Sequence, residues 1–378
     1  MESHEVYKYF ENRIDTILDS IREIVDVESP SHDHVRSRCV TDLLEAKFAE
    51  LGQQITVERE SVEDGDHLII RAFPGAERPV LVLGHTDTVH PVGSRDVNPT
   101  RIEEDRFFGC GIFDMKANIA IALEALRYFV QIGQRPRRPV NILLSCDEEI
   151  GSLTGRSIVE REASAAAYCL VMEPSAEGKV KTGRKGTGMY TLGTRGLPAH
   201  AGLEPEKGAN AIVELAKQIP AIHGLGDPGS GTTVNVTTIR GGTTTNVIPE
   251  FAECEIDVRF RTQAEAERID GALRELASYD TRVSLNLRGG INRPPMERNP
   301  DVIGLFERAR KLAASFNYVL EETQVGGASD GNFVAALGVP LIDGLGIRGA
   351  GAHMMTEHIN VSDIVPRATL VTLLLRDL

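Results

Sequence analysis

Histidine, aspartate and glutamate side chains recur in this chain where a run of apolar residues ends in a polar or glycine-rich turn. Five such clusters lie in the segments VLVLGHTDTVHP, GCGIFDMKAN, NILLSCDEEIGS, YCLVMEPS and GAGAHMMTEH. Imidazole and carboxylate groups bind divalent metal ions and move protons in hydrolysis. A buried strand that ends in such a group places it at the carboxyl edge of a sheet, where open α/β folds bind ligands. The pattern therefore predicts a hydrolase with two metal ions.

Three of the clusters predict more specific roles. His85 and Asp87 lie two residues apart at a strand end and face the same way, so Asp87 can accept an imidazole N–H while the other ring nitrogen binds metal. Glu148 and Glu149 are neighbours on a chain that we expect to be extended, so they face opposite sides. One of them can then be a ligand and the other a base. Asp114 precedes a helix predicted over 115–130, an entrance where a carboxylate can bridge two cations.

The alternative for each acid alone is a solvated cap or turn residue. Five clusters that all follow apolar runs favour a shared site instead. Among the histidines, His358 is the alternative to His353 as a ligand. The remaining histidines are expected at the surface or with satisfied hydrogen bonds: His4, His32, His34, His67, His90 and His223.

Longer stretches around these clusters carry a family resemblance. They are GHTDTVHP, GCGIFDMKANIA, CDEEIGS, MEPS, PAHAGLEPEKGANAI, GGTTTNVIP, DVRF and GAHMMTEHINV. From about residue 80 to the C-terminus the chain resembles the di-zinc aminoacylase and carboxypeptidase family, most closely its glutamate carboxypeptidase branch. The resemblance implies two divalent ions per chain, Zn²⁺ or alternatively Co²⁺ or Mn²⁺. It implies that one ion is held by His85 and Glu173 and the other by Glu149 and His353, with Asp114 bridging both.

The same resemblance resolves the two adjacent glutamates. Glu148 matches the general acid/base of the family, and Asp87 matches the residue that orients the metal-binding imidazole. One departure is visible, because the family often has two glycines after its Asp-x-Lys, where this chain has Ala117 and Asn118. This substitution bears on the conformation of the loop rather than on the ligands.

A second group of residues is implied to act on the substrate. From sequence alone His200 is a helix-entry residue, but the matching histidine in the family reaches the partner subunit's active site and stabilises the oxyanion. Asn246, Arg259 and Arg293 match residues that contact a substrate carboxylate, which suits the planar fork of arginine. The resemblance adds three further substrate-binding candidates: Lys179, Gly327 and Ser329.

The order of predicted elements indicates a discontinuous α/β catalytic domain. Apolar strands alternate with helices from residue 79 to 175, as in a mostly parallel sheet. The order then becomes βαββαβ, a ferredoxin-like α+β unit with helices predicted over 205–218 and 263–278. Alternation resumes with a helix over 301–316. We expect a catalytic domain at 1–181 and 296–378, and an inserted domain at 182–295 that the resemblance implies is a lid and dimerisation surface.

Composition limits the location and the partners. The formal net charge is −14 and no basic stripe is present, which argues against nucleic acid and membrane partners. Apolar residues at helical spacing, Val6, Phe10, Ile14, Leu18 and Ile21, predict one amphipathic N-terminal helix rather than a signal segment. The five cysteines form no C-x-x-C pair, so a disulfide framework is not expected and a cytoplasmic location is the prediction. The family resemblance implies that the protein is a homodimer.

The residue clusters predict an amidohydrolase that attacks with a metal-bridging hydroxide. The family resemblance implies that it removes a C-terminal acidic residue, as a glutamate-type carboxypeptidase does. An N-acyl amino acid deacylase of the acetylornithine or succinyl-diaminopimelate type is the alternative within the same mechanism. A catalytically inactive metal- or ligand-binding protein is the alternative from another class. Glu148 argues against it, because a binding protein needs no base beside its metal.

Overall fold

The computed structural model describes residues 3–63 and 65–378. Its chain divides into two compact units. The larger comprises the described parts of Met1–Gly183, Arg298–Val325 and Ser329–Leu378, and the smaller comprises Arg184–Glu297 and Gly326–Ala328. The boundaries predicted from sequence, at 181/182 and 295/296, lie near these divisions, but the assignment of residues 326–328 to the smaller unit was not anticipated.

The described residues form helices and strands in the following order. The α-helices are α1 (Ser3–Glu11), α2 (Ile14–Val25), α3 (His34–Ala49), α4 (Ser94–Val97), α5 (Ala117–Gln131), α6 (Gly155–Ala165), α7 (Ala211–His223), α8 (Gln263–Arg274), α9 (Pro300–Ala314), α10 (Gly331–Ala336) and α11 (Ile364–Asp377). The strands are β1 (Ile55–Ser61), β2 (Asp66–Ala72), β3 (Val80–His85), β4 (Arg101–Glu103), β5 (Arg106–Phe108), β6 (Val140–Ser145), β7 (Tyr168–Val171), β8 (Val180–Arg184), β9 (Gly186–Arg195), β10 (Thr233–Gly241), β11 (Phe251–Phe260), β12 (Ser284–Arg293), β13 (Glu322–Val325), β14 (Leu341–Ile342), β15 (Gly349–Ala350) and β16 (His358–Asn360).

The N-terminal segment differs from its prediction. The apolar spacing predicts one helix, but the chain breaks between α1 and α2, where Arg13 has φ −113° and ψ 7°. The guanidinium of Arg13 donates two hydrogen bonds, of 3.1 and 3.0 Å, to the buried carboxylate of Glu124 in α5. Val6, Phe10 and Ile21 are fully buried in the core on either side of the break. The spacing therefore identified the buried face correctly and missed the interruption.

The main sheet of the larger unit has the strand order β1-β2-β6-β3-β7-β14. The pairs β3–β6, β3–β7 and β7–β14 are parallel, and β1 and β2 form an antiparallel edge. Every residue of β3, β6 and β7 is buried, as expected for strands covered on both faces. The predicted mostly parallel α/β sheet is confirmed.

The smaller unit has the order β9-α7-β10-β11-α8-β12 along the chain. Its four strands are antiparallel in the spatial order β10-β11-β9-β12. In β11, Ala252, Cys254 and Ile256 are buried while Phe251 and Glu255 are exposed, so one face of the sheet packs on the helices. The predicted ferredoxin-like unit is confirmed, although α7 begins after a 3₁₀ turn at Pro205–Lys207. Among the described residues no helix is both long and apolar enough to cross a membrane.

Candidate metal centre

Three neighbouring strands of the main sheet bring acidic and imidazole side chains to one edge. His85 is the last residue of β3, and its register partner is Ser145 at the end of β6. Glu148 and Glu149 follow β6 in a 3₁₀ turn, and Glu173 follows β7 by two residues. Because these strands are parallel neighbours, their carboxyl ends meet. The expectation that Glu148 and Glu149 lie on an extended chain was wrong, since a turn holds them.

Asp114 lies between two histidines that come from distant parts of the chain. Its segment, Ile112–Lys116, immediately precedes α5, and the peptide bond from Asp114 to Met115 is cis. Asp114 Oδ1 lies 3.2 Å from Nε2 of His85, and Oδ2 lies 3.5 Å from Nε2 of His353. The two oxygens of one carboxylate therefore face different imidazoles, which is the arrangement that a bridging ligand requires.

One further acid lies beside each histidine. Glu173 Oε1 is 3.6 Å from His85 Nε2, and Glu149 Oε2 is 3.2 Å from His353 Nε2. Oε1 of Glu149 is buried and has no hydrogen-bond partner among the described residues. His353 has a φ of 65°, a left-handed conformation that non-glycine residues adopt mainly where the surroundings enforce it. The donors thus form two sets, one on each side of Asp114.

The directions of the pKa shifts of the two histidines and of Asp114 reflect the carboxylates that surround the imidazoles. Hydrogen bonds to Asp114 and Glu149 raise the pKa of His353 to about 10. Burial disfavours charge on His85, but the carboxylates of Asp114 and Asp87 outweigh it and raise the His85 pKa well above its usual value. Burial would raise the pKa of Asp114, yet the two imidazoles lower it. The acids therefore attract positive charge strongly, and nitrogen and oxygen donors of this kind fit divalent ions.

Two other predicted residues lie at the same sheet edge. Carboxylate oxygens of Glu148 and Glu173 and a ring nitrogen of His85 lie within 4.8 Å of one another, and Glu148 is buried. His358, the alternative to His353, has a partner in its own segment. Its Nδ1 is 2.9 Å from the carbonyl oxygen of Thr356. His353 is thus the histidine that contacts the acids.

Asp87 organises both the imidazole and the glutamate turn. Nδ1 of His85 is 3.0 Å from the backbone oxygen of Asp87 and 3.4 Å from its Oδ1. Because a carbonyl oxygen only accepts, Nδ1 carries the proton and Nε2 faces the acids. The Asp87 carboxylate also accepts hydrogen bonds from the backbone N–H groups of Glu148 (3.2 Å) and Glu149 (3.1 Å), and from Ser31 Oγ (2.8 Å). The turn contacts and Ser31 had no signal in the sequence.

The departure from the family's glycine pair has a structural role. Asn118 is fully buried at the start of α5. Its Nδ2 donates to the carbonyl oxygen of Phe113 (3.3 Å), and its Oδ1 accepts from the N–H of Ile347 (2.9 Å). The side chain therefore ties the Asp114 segment to the segment at residue 347, a connection that glycine could not make. The sequence shows that asparagine replaces a glycine here, but it does not predict the hydrogen-bond partners of Asn118.

His200 lies in the smaller unit with a defined tautomer. The backbone N–H groups of Gly202 and Leu203 both donate to its Nδ1, each at 3.1 Å. Nδ1 is therefore the acceptor, and the ring's proton is on Nε2. The backbone N–H of Ala201 donates to the carbonyl oxygen of Asn246 at 2.9 Å, so the two predicted loops lie side by side.

The two predicted arginines flank one threonine in the sheet of the smaller unit. Thr187 in β9 pairs with Arg259 in β11 on one side and with Arg293 in β12 on the other. Directly opposed residues point to the same face of a sheet. Arg259 is held by Asp257 through contacts of 3.0 Å (Nε–Oδ1) and 2.8 Å (Nη2–Oδ2), and Arg293 is buried. The row therefore carries two guanidinium groups.

The remaining predicted substrate residues have different surroundings. Nζ of Lys179 lies 3.6 Å from Glu321 Oε2 and is partly exposed. Gly327 lies in open space, since a Cβ there would meet nothing within 4 Å. Ser329 is fully buried, and its Oγ donates to Asp343 Oδ2 at 2.7 Å. The structure therefore gives the Ser329 hydroxyl a local partner within the larger unit.

The chain is similar to known proteins over most of its length. Residues 81–377 match the model of Peptidase family M20/M25/M40. The chain belongs to this family. It is 28% identical over 369 residues to carboxypeptidase G2 of Pseudomonas sp. (strain RS-16), covering 96% of this chain and 89% of that protein. It is 31% identical over 313 residues to succinyl-diaminopimelate desuccinylase of Verminephrobacter eiseniae, covering 76% of each. This M20 family member is a metallohydrolase, as the sequence predicts.

Solved structures show the same fold. An aminopeptidase PepT from Bacillus cereus superposes with a TM-score of 0.75 at 24% identity, covering 96% of this chain and 98% of that one. A metallo-carboxypeptidase of the M20 family from Sulfolobus solfataricus superposes with a TM-score of 0.70 at 17% identity, covering 95% and 98%. At these identities the similarity establishes the architecture, and the chemistry rests on the side chains.

Proposed function

We propose that this M20 family member is a two-metal amidohydrolase that removes a C-terminal glutamate-type residue from its substrate. The observation that supports the metal centre most strongly is Asp114, whose two oxygens face His85 and His353 at 3.2 and 3.5 Å. In the proposal His85 and Glu173 hold one ion, and Glu149 and His353 hold the other.

Two divalent ions bound by these residues would supply Lewis acidity and lower the pKa of a bound water. Zn²⁺ suits the mixed nitrogen and oxygen donors, and Co²⁺ and Mn²⁺ are alternatives for the same donors. The buried Oε1 of Glu149, which has no hydrogen-bond partner among the described residues, supports an additional cationic partner for this side chain.

Glu148 is the proposed general base and acid. It takes a proton from the attacking water and returns it to the leaving amine. Its position supports this role, because it is buried and lies beside His85 and Glu173, whereas Glu149 is the glutamate of the turn that contacts His353. Asp87 holds the backbone of the turn that carries Glu148, so it fixes where the base lies as well as the tautomer of His85.

His200 is the proposed oxyanion donor, and it would act in the partner subunit of a cytoplasmic homodimer. The proton on its Nε2 supports a donor role, since the backbone N–H groups of Gly202 and Leu203 occupy Nδ1. A mixture of His200→Ala and Glu148→Gln chains tests the shared site. Subunit exchange should restore activity, because one of the two sites in a heterodimer receives both functional residues. A mixture that exchanges subunits and stays inactive would refute action across the dimer.

The substrate carboxylate is proposed to bind Arg293 and Arg259, with Asn246, Lys179 and the backbone at Gly327 as further contacts. The buried guanidinium of Arg293, with Arg259 and its Asp257 partner in the same row, supports a ligand with negative charge. The identity of 31% to a succinyl-diaminopimelate desuccinylase supports a second candidate, a deacylase of that type.

A substrate panel separates the two candidates. The metal-loaded protein is given N-acyl-glutamates, N-acetylornithine and N-succinyl-diaminopimelate at matched concentrations, and free amine release is measured. The proposal predicts the highest kcat/KM on N-acyl-glutamate and a large loss when its α-carboxylate is amidated. A preference for succinyl-diaminopimelate would favour the deacylase, and no hydrolysis of any member would contradict both.

A further inference from the structure

One carboxylate of the larger unit accepts hydrogen bonds from several backbone N–H groups at and next to Asp114. Glu357 is fully buried. Its Oε2 accepts from the N–H of Gly111 at 2.8 Å and lies 2.6 Å from Nε2 of His90. Its Oε1 accepts from the N–H groups of Phe113 and Asp114, at 2.8 and 2.9 Å. Four polar contacts therefore converge on one side chain, and three of them come from residues 111–114, which include the proposed bridging ligand.

The chemistry of these contacts requires a carboxylate. Both oxygens of Glu357 accept hydrogen bonds from backbone N–H groups. If an NH₂ group replaced either oxygen, two hydrogen-bond donors would face each other. A glutamine in either amide orientation would lose at least one backbone hydrogen bond. Removing one partner of a buried polar contact costs more than the net value of the bond, because the group left behind stays desolvated. The position therefore specifies a side chain that accepts hydrogen bonds on both of its terminal oxygens.

Glu357 also belongs to the segment that carries the other proposed ligand. It lies four residues after His353, and its backbone N–H donates to the carbonyl oxygen of Met354 at 3.1 Å. Its own carbonyl oxygen accepts from the N–H of Gly109 at 3.2 Å. The residue is thus bonded through its backbone to the His353 segment and through its side chain to the Asp114 segment.

We propose that Glu357 is a positioning residue for the metal centre. It fixes the backbone of Asp114 relative to the segment of His353, so that one carboxylate can meet both imidazoles. His90 completes the contacts of the Glu357 carboxylate. The inference rests on the proposed two-metal site, and it assigns a role to a residue outside the ligand set.

Metal affinity tests this role directly. Zn²⁺ binding to the metal-free full chain is measured by competition with a chelator of known affinity, for wild type, Glu357→Gln and Glu28→Gln. The Glu28 carboxylate also accepts backbone hydrogen bonds, from Gly93 (2.9 and 3.1 Å) and Arg95 (3.0 Å), but that segment carries no proposed ligand. Loss of a residue that orients ligands typically weakens metal binding by about 10–100-fold. We expect this loss for Glu357→Gln and affinity within about threefold of wild type for Glu28→Gln.

Hydrogen exchange of the metal-free proteins gives a second readout. Faster exchange of the amides of Gly111, Phe113 and Asp114 is expected in Glu357→Gln alone. If Glu357→Gln does not fold, Glu357→Asp carries the test, because it keeps the charge and withdraws the carboxylate by about one C–C bond length, roughly 1.5 Å. The folded aspartate variant should also lose metal affinity.

The outcomes separate this inference from the proposed function. If wild type binds two ions and a folded Glu357 variant binds both with unchanged affinity, the positioning role is wrong and the metal centre stands. Equal weakening in the Glu28 and Glu357 variants would also overturn the role, since the effect would then be general. If wild type itself does not bind two ions, the proposed function fails first.

Discussion

Replacing Asp87 with asparagine tests whether a residue that is not a proposed metal ligand holds the ligands of the metal centre in place. The change keeps the size of the side chain. However, Oδ1 accepts from the N–H of Glu148, and Oδ2 accepts from the N–H of Glu149 and from Ser31. Either orientation of the amide therefore places an NH₂ group against a backbone N–H. The variant should fold with its glutamate turn displaced.

The expected cost follows from the lost contacts. Removing one partner of a buried hydrogen bond costs about 1–3 kcal/mol, and more when the lost partner is charged. The free energy of unfolding should therefore fall by about 3 kcal/mol or more in Asp87→Asn. Because the turn carries both Glu148 and Glu149, metal affinity should also fall by about 10–100-fold.

Urea denaturation and chelator competition measure the two effects. Ser31→Ala is the matched control, because it removes one hydrogen bond from the same carboxylate and leaves both backbone N–H contacts in place. It should lower the free energy of unfolding by no more than about 3 kcal/mol and leave metal affinity unchanged. If Asp87→Asn has wild-type stability and metal affinity, the turn does not depend on this carboxylate and the reasoning is wrong.

Three further substitutions test other parts of the account. Glu148→Gln should retain two metal ions while kcat falls by about 10²–10⁴-fold, because proton transfer is lost and the ligands stay; a matching loss of metal would place Glu148 among the ligands. Arg293→Ala should lower kcat/KM for N-acyl-glutamate by a factor that corresponds to a loss of about 2–4 kcal/mol of transition-state stabilisation, without changing metal content. An equal loss on the α-amidated substrate would make Arg293 structural instead. In Glu162, burial raises the pKa, but the hydrogen bonds and charge of Arg71 outweigh it and lower the pKa overall. A carboxylate whose pKa is lower in the folded state than in the unfolded state stabilises the protein above its unfolded-state pKa, and this stabilisation is lost as pH falls through its folded-state pKa. The stability difference between wild type and Glu162→Gln should therefore shrink below about pH 4. A pH-independent difference in urea midpoint would contradict this expectation.

The positions at the sheet edge are predictable because they follow directly from strand physics. Fully buried strands such as β3, β6 and β7 read as apolar runs, and the first charged residue after each run lies at or near the end of the strand. The apolar runs alone therefore predict that His85 and Glu173 are neighbours. The family resemblance added the distinction between Glu148 and Glu149, which spacing alone left open.

The supporting contacts could not be predicted, because they join residues far apart in the chain. Glu357 contacts Gly111 across 246 positions, and Asn118 contacts Ile347 across 229. In the sequence Glu357 stands in MTEH like any surface acid, and its full burial results from packing that no local pattern encodes. His90 was expected to lie at the surface or to have its hydrogen bonds satisfied, and the Glu357 carboxylate is its hydrogen-bond partner.

Local breaks in regular structure were also beyond the sequence signal. The apolar period continues across Asn12 and Arg13, so periodicity predicts one helix where there are two. The turn at Glu148–Ile150 likewise has no glycine or proline within it to mark it, although Gly151 follows in the left-handed conformation with φ 99°. In both places long-range contacts, to Glu124 and to Asp87, accompany the local geometry.

Native mass spectrometry of wild type and Asp114→Ala, each loaded with Zn²⁺, shows directly whether Asp114 bridges two metal ions. Wild type should bind two ions. The variant should lose two-ion occupancy, because both imidazoles lose the carboxylate that lies between them. Circular dichroism on the same samples confirms folding. Two ions in a folded Asp114→Ala chain would contradict the bridged centre on which the proposed function depends.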